Sequence, residues 1–197
     1  MVDLIDKCLK LLEEAIFALY HDEADVVAIN ANERCMAAIV FACMKEKMAA
    51  VESLKQYKID YEYNREGPNG VPKELFVKYV EDKEKKNHLI IPDWTIHKRQ
   101  KNSCGDNLLL VEFKKTDVPY KDDIAKLEEM TKQDTDGKFK YKAGLLVVFG
   151  TLLSETKFKV YVNGTCLACN EYSFDQFDLL LAATRTRLKE LFPVSSV

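Results

Sequence analysis

The sequence predicts an α/β sandwich, and three patterns predict it. Apolar residues at helical spacing open the chain, and two strand-like runs joined by a polar loop lie in its middle. A continuous apolar run, Gly144-Leu145-Leu146-Val147-Val148-Phe149, reads as a strand covered on both faces.

Taken in order, Ile5, Cys8, Leu9, Leu12, Ile16 and Leu19 form one stripe, so a helix within residues 1–22 packs on the domain. From Ile29 onward, Ile29, Met36, Ala37, Val40, Phe41 and Met44 recur with a helical period, and Glu33 falls in that stripe. Asn30-Ala31-Asn32-Glu33 also reads as a capping box, with Asn30 as N-cap and Glu33 reaching back to its backbone N–H. The two roles coexist only if Glu33 is shared. Ile59-Asp60-Tyr61-Glu62-Tyr63-Asn64 alternates as a half-buried strand whose acidic face is solvated by default. The alternative brings Glu62 into a metal cluster, with Asn64 or Arg65 near a phosphate. Residues 66–87, with Gly67, Pro68, Gly70 and Pro72, form an excursion holding a short helix within 74–80.

Residues 89–97 and 108–115 are rich in branched and aromatic side chains, and 98–107 is a polar loop, so the three form a hairpin. If His97 pairs with Leu108, antiparallel counting sets Asp93 opposite Glu112, with Cβ atoms about 4.5–5.5 Å apart. Lys114 follows Glu112 by two residues and shares its face. Next come a helix over 121–132 with Ile124, Leu127 and Met130 inward, the 144–149 strand, and a more exposed strand in which Phe158, Val160 and Val162 alternate with Lys157, Lys159 and Tyr161. Asn163-Gly164 reads as a hairpin turn. Ser173 with Gln176 starts a last helix whose Phe177, Leu180, Leu181, Thr184 and Leu188 face inward. Residues 1–197 make one domain: the N-terminal helix (1–22), a motif-bearing core (29–150), and C-terminal strands and helix (151–197).

Two carboxylates and a lysine at one end of an otherwise apolar hairpin suit metal-assisted phosphodiester hydrolysis. Asp93, Glu112 and the backbone carbonyl of Phe113 are hard oxygen ligands for Mg²⁺, which needs only one or two carboxylates beside water and substrate phosphate. Mn²⁺ is the expected substitute. Lys114 orients the attacking water or stabilises the oxyanion. Glu33 and Glu62 are further candidate ligands.

Asn32-Glu33-Arg34 opening a helix, then Asp60-Tyr61-Glu62-Tyr63-Asn64-Arg65, Pro92-Asp93, Glu112-Phe113-Lys114-Lys115 and Tyr141-Lys142-Ala143-Gly144-Leu145 follow one another in this order. Together they resemble the PD-(D/E)xK, restriction-endonuclease-like nuclease superfamily, over roughly residues 29–150. The resemblance implies a mixed central sheet flanked by helices, metal ligands at Asp93 and Glu112, the catalytic lysine at Lys114 and a helix-borne acid at Glu33. It implies a nuclease acting on DNA, or else a catalytically silent module that binds nucleic acid or a protein partner.

Composition sets outer bounds. With 47% hydrophobic and 31% charged residues the chain is neither disordered nor membrane-spanning, and no leader or transmembrane run is expected. A cytoplasmic protein is the expectation, and a homodimer is compatible with it. The net charge of −3 does not advertise nucleic-acid binding, so local groups must: Lys98, Arg99 and Lys101; Lys83, Lys85 and Lys86; Lys138, Lys140 and Lys142. Each reads first as a solvated loop. Six cysteines without framework spacing imply reduced thiols, and Cys166-Leu167-Ala168-Cys169 lacks the second pair a zinc site needs. His97, on the hairpin but apart from Asp93, is a candidate for substrate contact.

Overall fold

The predicted stripes become helices. In the computed structural model, residues 1–63, 65, 66, 71, 72, 74, 75, 88, 89, 91–101, 103, 105–115, 121–133, 138–167 and 171–193 are described, without the side chains of 66, 71, 72, 74, 75, 88 and 89. Helix α1 (Val2–Asp22) buries Ile5, Cys8, Leu9, Leu12, Ile16 and Leu19. The short α2 (Ala24–Ala28) runs into Asn30, whose φ of 56° turns the chain before α3 (Glu33–Ala49). This turn overturns the capping expectation. Asn32, not Asn30, is the N-cap, its side chain accepting the Cys35 N–H at 2.9 Å, so Glu33 is the first helical residue and is not a reciprocal cap. Ile29, placed in the stripe by periodicity, is 77% exposed because it ends α2.

The sheet is built from β1 (Lys58–Tyr61), β2 (Trp94–His97), β3 (Asn107–Lys115), β4 (Ala143–Phe149), β5 (Lys157–Val162), β6 (Thr165–Cys166) and β7 (Tyr172–Ser173). Helix α4 (Lys121–Thr131) connects β3 to β4, and α5 (Phe177–Leu191) closes the described chain. Strand order is β1-β2-β3-β4-β5-β6, with β7 also paired to β5. β3 and β4 are parallel and every other pair is antiparallel, so the sheet is mixed, as expected. One face carries Val111, Phe113, Val147 and Val160 against α1, α3 and α5; the other carries Leu110, Leu146 and Val148 against Leu127 and Met130 of α4. Strand alternation therefore sends Glu112 and Lys114 to the α4 side. Gly144 allows that helix to sit close: a Cβ there would lie 2.9 Å from Leu127 Cδ2 and 3.0 Å from Thr131 Cγ2.

The predicted turn at Asn163-Gly164 forms, with φ of 53° and 73° joining β5 to β6. Other expectations need correction. The strand expected over 89–97 is divided: His88–Leu89 pairs with Glu74–Leu75, while β2 begins only at Trp94. Pro92 lies between them and has no N–H to give a ladder. Glu74 and Leu75 are thus extended rather than helical; residues 76–80 lie outside the described set. His97 pairs with Asn107 instead of Leu108, across a bulge after Ile96. Among the described residues no helix is long and apolar enough to cross a membrane.

Candidate functional site

The bulge leaves the critical end of the hairpin in its predicted register. Trp94 faces Val111, so Asp93 is level with Glu112, and the Asp93 carboxylate (Oδ2) accepts the Phe113 N–H at 2.7 Å. On its other side the Asp93 carbonyl accepts the Glu62 N–H at 2.8 Å. Asp93 is thereby held between β1 and β3. Phe113 takes part through its backbone, since its ring packs against Trp94 and Phe149 in the core, with centroids 4.7 and 5.3 Å away.

Glu112 is fully buried. Its Oε2 accepts from Lys126 Nζ at 2.8 Å, and its Oε1 has no hydrogen-bond partner among the described residues. Lys126 also reaches Asp123 Oδ1 at 2.8 Å, and the other Asp123 oxygen lies 3.3 Å from Lys114 Nζ. Lys114 completes the cluster by donating to Glu33 Oε1 at 3.2 Å. Four carboxylates and two ammoniums, from the segment before β2, from β3, from α3 and from α4, therefore converge over the end of β3. Next to it Lys115, which alternation sends the other way, donates to the carbonyls of Asn30 and Ala31 and fixes the turn that delivers Glu33.

The electrostatics follow from burial. Desolvation pushes the Glu112 carboxyl well above the usual carboxylate range; Lys126 opposes this and Asp93 adds to it. Burial likewise raises Asp93, against the Phe113 N–H and Lys114. Lys114 and Lys126 feel the same desolvation, which would lower them, but the surrounding carboxylates win and hold both ammoniums above their ordinary value.

Among the described residues, no three His, Cys, Asp or Glu side chains form a ready metal-holding group. The donor chemistry fits Mg²⁺ on a smaller demand: two carboxylates, one with an unpartnered buried oxygen, and the adjacent Phe113 carbonyl. Glu62 stands apart. β1 stops at Tyr61, Glu62 has φ of 49°, and its half-exposed side chain lies 3.9 Å from Arg34 on the rim.

No family model, curated protein or solved structure matches this chain.

Asp123 and Lys126 were missed by sequence reading. Their i,i+3 spacing is the ordinary signature of an exposed helical pair, and the one available signal was that both share a turn with the inward Leu127. Asp60, expected on a solvated face, is also buried. It accepts from His97 Nε2 at 2.9 Å and from Arg99 Nε at 2.8 Å. Burial alone would raise its pKa, but Arg99 and His97 together hold it far below the usual range. His97 is therefore an internal partner of Asp60 rather than an open substrate contact, and Arg99 is no free loop cation. Lys142, assigned to a loop, is buried and donates to Gln133 Oε1 at 2.6 Å. Lys83, Lys85, Lys86 and Cys169 lie outside the described residues.

Proposed function

We propose that this chain is a metal-dependent nuclease of the PD-(D/E)xK type that hydrolyses phosphodiester bonds, with DNA as the first substrate to test and the cytoplasm as its place of action. The observation that carries the reading is the convergence of Asp93, Glu112 and Lys114 at one strand end, with Glu33 paired to that lysine. Asp93, Glu112 and the Phe113 carbonyl would hold Mg²⁺ or Mn²⁺. When bound, the ion supplies an acidified water and charge neutralisation at the phosphate.

The chain's own groups do the rest. Lys114 is held between Glu33 and Asp123, 3.2 and 3.3 Å from their oxygens, and from there would orient a water or donate to a phosphate oxygen. Pairing with two carboxylates keeps it charged. That suits an electrostatic donor better than a general base, which must be deprotonated to accept. Arg34, largely exposed and 3.9 Å from Glu62, is the residue we assign to a neighbouring phosphate.

A second reading draws support from Lys126. An ammonium 2.8 Å from Glu112 partly neutralises the carboxylate a metal would use, as expected of a catalytically silent module that binds nucleic acid or a protein partner. Incubating purified protein with plasmid, linear duplex, single-stranded and branched DNA, and RNA, in Mg²⁺ or Mn²⁺ with chelator controls, separates the two. Chelator-sensitive cleavage supports the nuclease; binding without cleavage under every condition supports the silent module.

A further inference from the structure

Lys126 has no role in the trio read from sequence, yet it is the sole side-chain hydrogen-bond donor to Glu112 among the described residues. A fully buried carboxylate with one oxygen unpartnered requires a counter-charge, and the counter-charge here is tethered to a flexible four-carbon stem on another element. The stem has a second anchor, Asp123 at 2.8 Å, so its ammonium can leave Glu112 without losing every partner. Side-chain exposure of 18% gives it an outlet to solvent.

We infer that Lys126 is a built-in surrogate cation, neutralising Glu112 while the site is without metal and yielding that position when a divalent ion arrives. This inference rests on the metal-site reading of Asp93 and Glu112 and deepens it: ion uptake is an exchange of one cation for another. The exchange spares the empty site an uncompensated buried charge, at the cost of weaker ion binding.

The test is Mn²⁺ binding, by calorimetry and by thermal shift, to the wild type and to Lys126→Met, which keeps length and apolar packing while removing the competitor. The variant should bind Mn²⁺ roughly tenfold more tightly, the weight of one charge-assisted hydrogen bond, and its melting temperature should respond to lower Mn²⁺ concentrations. A second measurement needs no variant: peptide-resolved acylation of wild-type Lys126 by an amine-reactive ester should rise saturably with Mn²⁺. If Lys126→Met does not fold, this readout decides alone. Equal affinity in both proteins with unchanged acylation would overturn the inference and leave the metal site standing, and weaker binding by the variant would overturn it by making Lys126 a supporting group. If Mn²⁺ moves neither protein, the inference falls together with the metal site.

Discussion

The Asp93 carboxylate accepts the Phe113 N–H at 2.7 Å, tying the residue that precedes β2 to the strand that carries Glu112 and Lys114. One hydrogen bond thus spans two halves of a hairpin and seats the Asp93 carboxylate beside the residue that follows Glu112, the arrangement on which the proposed chemistry depends.

The first prediction concerns that trio. Asp93→Asn, Glu112→Gln and Lys114→Ala should each lower cleavage on the order of a hundredfold or more. Groups acting as one unit lose activity non-additively, so Asp93→Asn combined with Lys114→Ala should be little worse than the worse single variant. Single-turnover cleavage rates check this; three fully active variants would remove the nuclease reading.

The helix start gives a second prediction, in which adjacent residues part company. Asn32→Ala removes the cap and should cost about 1 kcal/mol of stability. Glu33→Gln leaves the cap intact and should barely move the denaturation midpoint, while loosening Lys114 and reducing turnover. Denaturant melts and turnover at limiting Mg²⁺ distinguish the two positions, and unchanged turnover in Glu33→Gln would return Glu33 to a purely structural role.

Much of the fold was legible because burial writes a period into the chain. Ile5 to Leu19, the 144–149 run and Phe177 to Leu188 were read correctly, since each packs on one side or both against the same sheet. The register that sets Asp93 level with Glu112 was also legible, because hairpin pairing is a matter of counting. Where the outcome depended on a single backbone dihedral, counting failed: Asn30 at φ 56° moved the helix cap to Asn32, and Glu62 at φ 49° ended β1 early. Asp123 and Lys126 were not legible for a different reason. A charged pair on a helix reads as solvated until another element supplies a buried partner, and Glu112 lies on a strand whose packing against α4 depends on the whole sheet. Asp60 is the same case, buried by partners 37 and 39 residues further on.

The seat of α4 yields a third prediction. Gly144→Ala would push a methyl into Leu127 and Thr131, on the helix that bears Asp123 and Lys126. Overpacking of this kind costs about 1–3 kcal/mol. Activity should fall by more than the loss of folded protein explains, as measured by thermal melts beside rates normalised to folded fraction.

Two buried carboxyls should titrate stability in opposite senses. The Asp60 pKa is depressed in the folded state, so its contribution is complete above the ordinary value of 3.8 and is lost as pH falls below it. Asp60→Asn should therefore cost on the order of 1–3 kcal/mol at pH 7 and progressively less in acid. The Glu112 pKa is raised, so stability is lost as pH climbs from the ordinary value of 4.5 toward the folded one. Glu112→Gln should melt with the wild type near pH 4 and at or above it at pH 7. Melting curves across that range check both signs.

The most direct measurement of the central claim, that Asp93 and Glu112 hold a divalent ion, is the melting temperature of the metal-free wild type and of Glu112→Gln as Mn²⁺ is added. An ion at about 100 times its Kd stabilises the native state by about 2.7 kcal/mol, a rise of roughly 5–10 °C for a chain of this size. The wild type should show that saturable rise, and Glu112→Gln should lose most of it while starting no lower. A wild-type curve unmoved by millimolar Mn²⁺, beside a clearly destabilised Glu112→Gln, would contradict the account and make Glu112 a structural partner of Lys126.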